Sequence, residues 1–108
     1  MTSTQTIDKL VRDLVPDHVA REGGTVYVKK LEGAPLIAAL RQKLVEESHE
    51  VLCAKSLPET VGELADVIQV VRELCQHLGI SPEELEEAII RKNEVNGSFS
   101  QGIHLTSF

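Results

Sequence analysis

Two long segments with helical periodicity, joined by a short break, constrain the fold of this chain more than any other feature. In residues 34–55, apolar side chains recur at the spacing of one helix face, and no glycine or proline interrupts them after Pro35. A second such segment covers residues 59–78 and ends at Gly79. The break at residues 56–58 begins with a serine that can cap the second helix. Because this connection is short, the two helices are predicted to form an antiparallel hairpin.

A third helix is predicted from its capping signals. Ser81 is a good N-cap residue, Pro82 suits the first helical position, and Glu84 stands three residues after the cap. This helix should extend to about Val95 and stop at residues 96–97, which are Asn and Gly. Short connections between the helices predict that neighbours in sequence pack side by side.

The two ends of the chain carry weaker signals. An opening segment (residues 7–15) leads into a short predicted helix from Pro16 to about Glu22, and the two glycines at 23–24 break the chain. Residues 25–31 favour a short edge strand or an extended arm, and the tail at 98–108 favours a loop or a short strand. The predicted fold is an all-α helical bundle: an antiparallel hairpin plus a third helix, with short extended N- and C-terminal arms.

Composition favours one small domain that oligomerisation completes. The chain has 108 residues, 42% hydrophobic and 26% charged, which fits a single domain over residues 1–108. With only two Phe and one Tyr and no Trp, a chain this short buries a small core. Apolar residues nevertheless cover more than one face of the second helix: Val67, Ile68, Val70 and Val71. We therefore expect a homo-oligomer, either a dimer or a tetramer.

Charge and hydropathy exclude two classes of partner. The net charge is −6, and no block of Lys or Arg is long enough to bind polymeric DNA or RNA. No segment approaches the length of a membrane span, and residues 1–6 are polar and unlike a signal peptide, so a cytoplasmic location is expected. Cys53 and Cys75 are expected to be buried reduced thiols, and the hairpin separates them by about 20 Å along the helix axes, too far for a disulfide.

Five acidic residues on the two long helices indicate a metal site. Glu46, Glu47 and Glu50 lie on the first helix, and Glu63 and Asp66 lie on the second. Glu47 is in line with the apolar face of its helix, Glu63 lies on or beside the packed face of the next, and the hairpin brings the two acidic groups to one height. Carboxylates that converge on a partly desolvated seam repel one another unless a cation neutralises them. An all-oxygen set suits a hard ion, Mg²⁺ or Mn²⁺, rather than zinc.

Ordinary surface charge is the alternative to this interpretation. Acidic pairs on helices are usually solvated, as we expect for Glu83, Glu84, Glu86 and Glu87. Two acidic pairs at one height, in line with apolar residues, favour metal binding instead. His49 lies within the first group but points away from Glu47, so we interpret it as a surface residue or a neighbour that supports the ligands.

The acidic pattern resembles the motifs of a known enzyme superfamily. Glu46-Glu47-Ser48-His49-Glu50, followed by Glu63-Leu64-Ala65-Asp66, is similar to the EExxE and ExxD motifs of the MazG-like and phosphoribosyl-ATP pyrophosphohydrolase-like all-α NTP pyrophosphatases. Residues 9–13 (KLVRD) with Pro16, and residues 43–47 (KLVEE), resemble a branch of small proteins in this superfamily. Near the end, Lys92-Asn93, Asn96-Gly97 and Phe99 resemble the polar segment that closes the site.

The resemblance implies a Mg²⁺-dependent enzyme that converts a nucleoside triphosphate to the monophosphate and pyrophosphate. One role that it suggests is the clearing of unwanted nucleotides. The implied metal ligands are Glu46, Glu47, Glu50, Glu63 and Asp66. The implied catalytic residues are Glu46, Glu47 and Glu50, one of which orients and deprotonates water. The implied contacts to the small-molecule nucleotide are Lys9, Arg12, Lys92 and Asn93. The branch often has a further basic residue where Leu14 and Val15 stand and an arginine where Asn96 stands, so the resemblance leaves the phosphate contacts and the substrate more open than the metal chemistry.

Two other functions remain open at this point. A helical interaction or dimerisation module could keep the same fold without turnover, using its acids for solubility or for a basic partner. The enzyme could also act on phosphoribosyl-ATP in histidine biosynthesis rather than on a simple triphosphate. A screen of nucleotides with Mg²⁺ separates these possibilities.

Overall fold

The computed structural model of the chain describes residues 8–108 and contains four helices in this range. They are α1 (Val15–Arg21), α2 (Ala34–Cys53), α3 (Leu57–Leu78) and α4 (Pro82–Asn96). Residues 8–108 contain no strand, so the all-α prediction is confirmed. None of the four helices is both long and apolar enough to cross a membrane. The predicted polar start at residues 1–6, and residue 7 of the opening segment, lie outside the described residues.

Helices α2 and α3 pack against each other as the predicted hairpin, and they hold the buried side chains. Leu40 on α2 is 4% exposed and Val70 on α3 is 8% exposed. Helix α2 follows Gly33, whose φ of 62° is a conformation that favours glycine. It ends at Cys53, two residues before the predicted end, because Ala54 adopts an extended conformation.

Capping interactions fix the ends of α3. The Ser56 hydroxyl accepts a hydrogen bond from the Glu59 N–H at 3.2 Å, and the Glu59 carboxylate accepts one from the Lys55 N–H at 2.9 Å. The helix starts at Leu57 rather than at Glu59, since proline is tolerated in a first turn. It ends where Gly79 adopts the left-handed conformation, with φ of 74°.

Helix α4 forms as predicted but does not pack as predicted. The Ser81 hydroxyl accepts a hydrogen bond from the Glu84 N–H at 3.1 Å, and Gly97 follows the last helical residue with φ of 81°. Yet α4 contains no buried residue, and extensive contact between helices of the described chain is confined to α2 and α3. The third helix of the predicted bundle therefore stands apart from the hairpin within one chain, because its short apolar face finds no matching surface there.

The molecule is more open than a compact chain of this length. Its radius of gyration is 18.3 Å, whereas a compact domain of this length has about 13 Å. Its accessible surface is 9764 Å², whereas roughly 5,900 Å² is typical of a compact monomer of this mass. Several large apolar side chains of the helices stay exposed: Val61, Leu64, Ile68, Ile89 and Ile90. The isolated chain thus leaves much apolar surface in water.

The two segments with possible strand character are irregular. Residues 25–31 and 98–108 contain no strand, because neither finds a partner for a hydrogen-bonded ladder among the described residues. Tyr27, Val28 and Phe99 are largely exposed. The prediction of arms is therefore correct, and the alternative prediction of a short strand is wrong at both places. Cys53 and Cys75 are free thiols as predicted, but the prediction that both are buried is wrong, because Cys53 is exposed at the end of α2 and Cys75 is half-buried.

Candidate metal centre

Three carboxylates from the two hairpin helices converge at one point. One oxygen from each of Glu47, Glu63 and Asp66 lies within 4.8 Å of the others, and all three residues are half-buried. Glu47 comes from α2, whereas Glu63 and Asp66 are three residues apart and share one face of α3. The antiparallel packing of two regular helices is sufficient to bring these side chains together.

Electrostatic repulsion acts on this cluster. The pKa of Glu63 is raised above its usual value of 4.5, first because partial burial disfavours its charged form. The negative charges of Asp66, Glu50 and Glu47 raise it further, in that order. A cation at this point would relieve the repulsion.

Lys43 already supplies one positive charge. Its Nζ lies 3.3 Å from an oxygen of Glu46 and 3.3 Å from an oxygen of Glu47, one helical turn along α2. The side chains of Lys43 and Glu47 are only 18% and 13% exposed. Sequence reasoning did not include Lys43 among the site residues, although its spacing of three and four residues from the two acids was a usable signal.

Arg12 supplies a second positive charge from a distant part of the sequence. Its Nη2 lies 2.6 Å from Oδ1 of Asp66, and its side chain is 61% exposed. Within residues 8–108 this is the one side-chain hydrogen bond between residues more than five positions apart. Arg12, a predicted substrate contact, therefore lies beside the acidic cluster, where it contacts a carboxylate.

A protein-family model now identifies the chain. Residues 11–93 match the model of phosphoribosyl-ATP pyrophosphohydrolase, which is more than half of the sequence. The chain belongs to this family. The resemblance to the MazG-like all-α NTP pyrophosphatases is thereby confirmed, and the family function is nucleotide pyrophosphohydrolysis. Comparisons with curated proteins and with solved structures gave no match.

The chemistry of the donor atoms in this member of the family fits a hard divalent ion. Oxygen ligands of one Mg²⁺ ion would each lie about 2.1 Å from it, and so about 3–4 Å from one another. The three cluster oxygens, all within 4.8 Å of one another, are close to that spacing. The cluster contains no Cys or His, which disfavours zinc. Glu47, Glu63 and Asp66 are thus the residues that can hold the ion.

The other predicted acids lie beside the cluster. Glu46 is exposed and pairs with Lys43. Glu50 is exposed and lies outside the group of three, yet its negative charge contributes to the raised pKa of Glu63. His49 is exposed, and its Nε2 lies 3.5 Å from the Cys53 Sγ rather than beside a cluster carboxylate.

The structure does not bring the remaining predicted substrate contacts to the acids. Lys92 and Asn93 line an open cleft of about 350 Å³ at the end of α4, together with Ile89, Asn96, Gly97 and Phe99. None of the five acids lines this cleft. Lys9 is exposed and precedes the segment that the family model matches.

Proposed function

We propose that this chain is a Mg²⁺-dependent enzyme that cleaves a nucleoside triphosphate, or a related phosphoanhydride such as phosphoribosyl-ATP, to the monophosphate and pyrophosphate. The observation that carries the proposal is the convergence of Glu47, Glu63 and Asp66 in a member of a pyrophosphohydrolase family. Clearing unwanted nucleotides in the cytoplasm is the role we propose for it.

Glu47, Glu63 and Asp66 form the core of the proposed metal site, and Glu46 and Glu50 complete the acidic set. Mg²⁺, or Mn²⁺ in its place, neutralises the substrate phosphates when bound and favours the build-up of negative charge on the leaving group. Lys43 holds Glu47 in place, because it is part of the same helix and is itself half-buried.

Glu50 is the residue that we propose as the general base. Its carboxylate is exposed, and it has no ion-pair partner in the described part of the chain. It can therefore accept the proton of a water molecule beside the cluster, while the water oxygen attacks phosphorus. The phosphoanhydride bond then breaks and pyrophosphate leaves with the bonding electrons.

Positive and amide side chains are the proposed substrate contacts: Lys9, Arg12, Lys92 and Asn93. Arg12 is adjacent to the cluster, and its planar guanidinium suits two oxygens of one phosphate. Lys92 and Asn93 share a cleft with Phe99, and an aromatic side chain suits a nucleobase.

We further propose that residues 1–108 form one domain and that the domain works as a homo-oligomer, with a dimer as the smallest unit. The exposed apolar side chains of α3 and α4 support this proposal, because they stabilise the protein only when another surface covers them. No polymeric nucleic acid is expected as a partner, given the net charge of −6.

A nucleotide screen tests the function. The protein is incubated with Mg²⁺ and with ordinary, deoxy and damaged triphosphates and phosphoribosyl-ATP, and released pyrophosphate is measured. Release from at least one compound, with the matching monophosphate, is expected. If no compound yields pyrophosphate at any Mg²⁺ concentration, the chain is better described as an interaction module.

A further inference from the structure

The ion pair between Arg12 and Asp66 joins the metal cluster to the N-terminal segment. Arg12 lies in residues 8–14, before α1, and its carbonyl accepts a hydrogen bond from the Val15 N–H at 3.0 Å. Its guanidinium contacts Asp66 at 2.6 Å from 54 positions away in sequence. A positive charge thus sits on one of the three carboxylates that a divalent ion would need.

The two cations at the cluster differ in how easily they can leave it. Lys43 is part of α2, 18% exposed, and tied to Glu46 and Glu47 at once. Arg12 is 61% exposed, lies outside the helices, and makes a single ion pair. Exposed ion pairs are weak, so the contact of Arg12 with Asp66 can break without disturbing a helix.

We propose that Arg12 is an internal counter-ion that competes with the divalent ion for Asp66 and, once displaced, binds a phosphate of the substrate. The proposal rests on the metal site of the proposed function and adds an order to it: the metal binds first and releases Arg12. Arg12 is then a competitor of the metal and, after its displacement, a binding residue for the substrate.

Charge repulsion gives the physical reason. A divalent ion and a guanidinium within about 5 Å of each other repel even where water screens them, and this repulsion is enough to outweigh a weak exposed ion pair. Binding of the ion at Asp66 therefore expels Arg12. The released guanidinium is then free to donate two parallel hydrogen bonds to two oxygens of one substrate phosphate.

The first test measures metal binding without substrate. Titration calorimetry with Mg²⁺, supported by Mn²⁺ electron paramagnetic resonance, compares the wild type with Arg12→Gln. Removing the competing charge should tighten metal binding about threefold to tenfold. Arg21→Gln is the matched control, because it removes the same charge from an exposed arginine at the end of α1; its metal affinity should stay at the wild-type value. Equal or weaker binding in Arg12→Gln overturns the counter-ion role.

The second test uses the substrate. In Arg12→Gln the KM for the nucleotide should rise about tenfold, while the metal concentration for half-maximal activity falls. Arg12→Lys keeps the positive charge but lacks the planar guanidinium that donates two parallel hydrogen bonds. It should restore wild-type metal affinity and only part of the substrate affinity. An unchanged KM overturns the phosphate role. A wild type that binds no divalent ion instead refutes the metal site of the proposed function, so the two failures are distinguishable.

Discussion

The α2–α3 hairpin and helix α4 are built from the same local signals and reach different outcomes. Both α3 and α4 begin at a serine cap with proline in the first turn, and both are followed by glycine with positive φ. The hairpin nevertheless buries Leu40 and Val70, whereas α4 buries no residue. Local signals therefore decide where a helix begins and ends, and matching apolar faces decide whether it packs.

The same two regions hold different parts of the proposed site. The hairpin brings together the acids that can hold a metal ion, and two cations already contact them. Helix α4 carries Lys92 and Asn93 in a cleft of its own. If this division is meaningful, removal of the metal or of an acid should stop turnover, and changes to the apolar face of α4 should act mainly on assembly.

Removal of the metal has the largest expected effect. Excess chelator should abolish turnover and Mg²⁺ or Mn²⁺ should restore it, with little support from Ca²⁺, whose larger size and looser coordination suit phosphoryl chemistry poorly. Helix content, followed by circular dichroism, should stay constant throughout. Undiminished turnover in chelator would show that the hairpin acids act without a metal.

The second expected effect separates acids of the two regions. Glu47→Gln replaces a negatively charged carboxylate of the cluster with a neutral amide, a weaker ligand for the ion, and should lower kcat on the order of a hundredfold or more. Glu86→Gln makes the same chemical change on the exposed side of α4 and should leave kcat unchanged. Steady-state kinetics at saturating Mg²⁺ measures both. Equal effects of the two variants would reduce the cluster to ordinary surface charge.

The third expected effect concerns assembly through α4. Light scattering at micromolar concentration should give at least twice the monomer mass of 11.9 kDa. Ile90→Gln replaces an exposed apolar side chain of α4 with a polar one and should raise the dissociation constant about tenfold. Glu87→Gln introduces the same residue at an exposed polar position and serves as control. A monomeric wild type contradicts the proposal that other copies cover α4.

The smallest expected effect is the pH dependence of stability. The pKa of Glu63 is raised in the folded protein, so its protonated form favours folding. The metal-free protein should lose this contribution as pH rises from below 4.5 through the raised pKa. Glu63→Gln imitates the protonated form, so its melting temperature should exceed that of the wild type by on the order of a few degrees near neutral pH. The difference should vanish at low pH and, if Mg²⁺ binds Glu63, reverse when the ion is added. A constant difference across the pH range argues against repulsion at Glu63.

The sequence predicted the helices well because their determinants are local. Ser56 and Ser81 were recognisable as caps, and Gly79 as a terminator, from neighbouring residues alone. The convergence of Glu47 with Glu63 and Asp66 was also accessible, since helix periodicity and a short connection fix the register of a hairpin.

Contacts between distant segments were not accessible in the same way. No local rule connects Arg12 to Asp66, because that contact depends on the path of the irregular residues 22–33 between α1 and α2. The separation of α4 from the hairpin was also not predicted. The capping signals of α4 define where the helix begins and ends, but they do not show which surface its apolar side chains contact. Strand preferences at 25–31 had no effect without a neighbouring strand, and pairing partners cannot be deduced from propensity.

Gly79, which ends α3, also lies between two helical segments of nearly equal length, one from Asp66 to the end of α3 and one from the start of α4 to Lys92. At 1.5 Å per residue, Asp66 lies about 18 Å before the end of α3, and Lys92 lies about 15 Å after the start of α4. The difference between these two lengths, about 3 Å, is shorter than a lysine side chain. Whenever an α4 helix lies antiparallel along an α3 helix in that register, the amine of Lys92 therefore comes level with the carboxylate of Asp66, whichever copy of the chain supplies the helix.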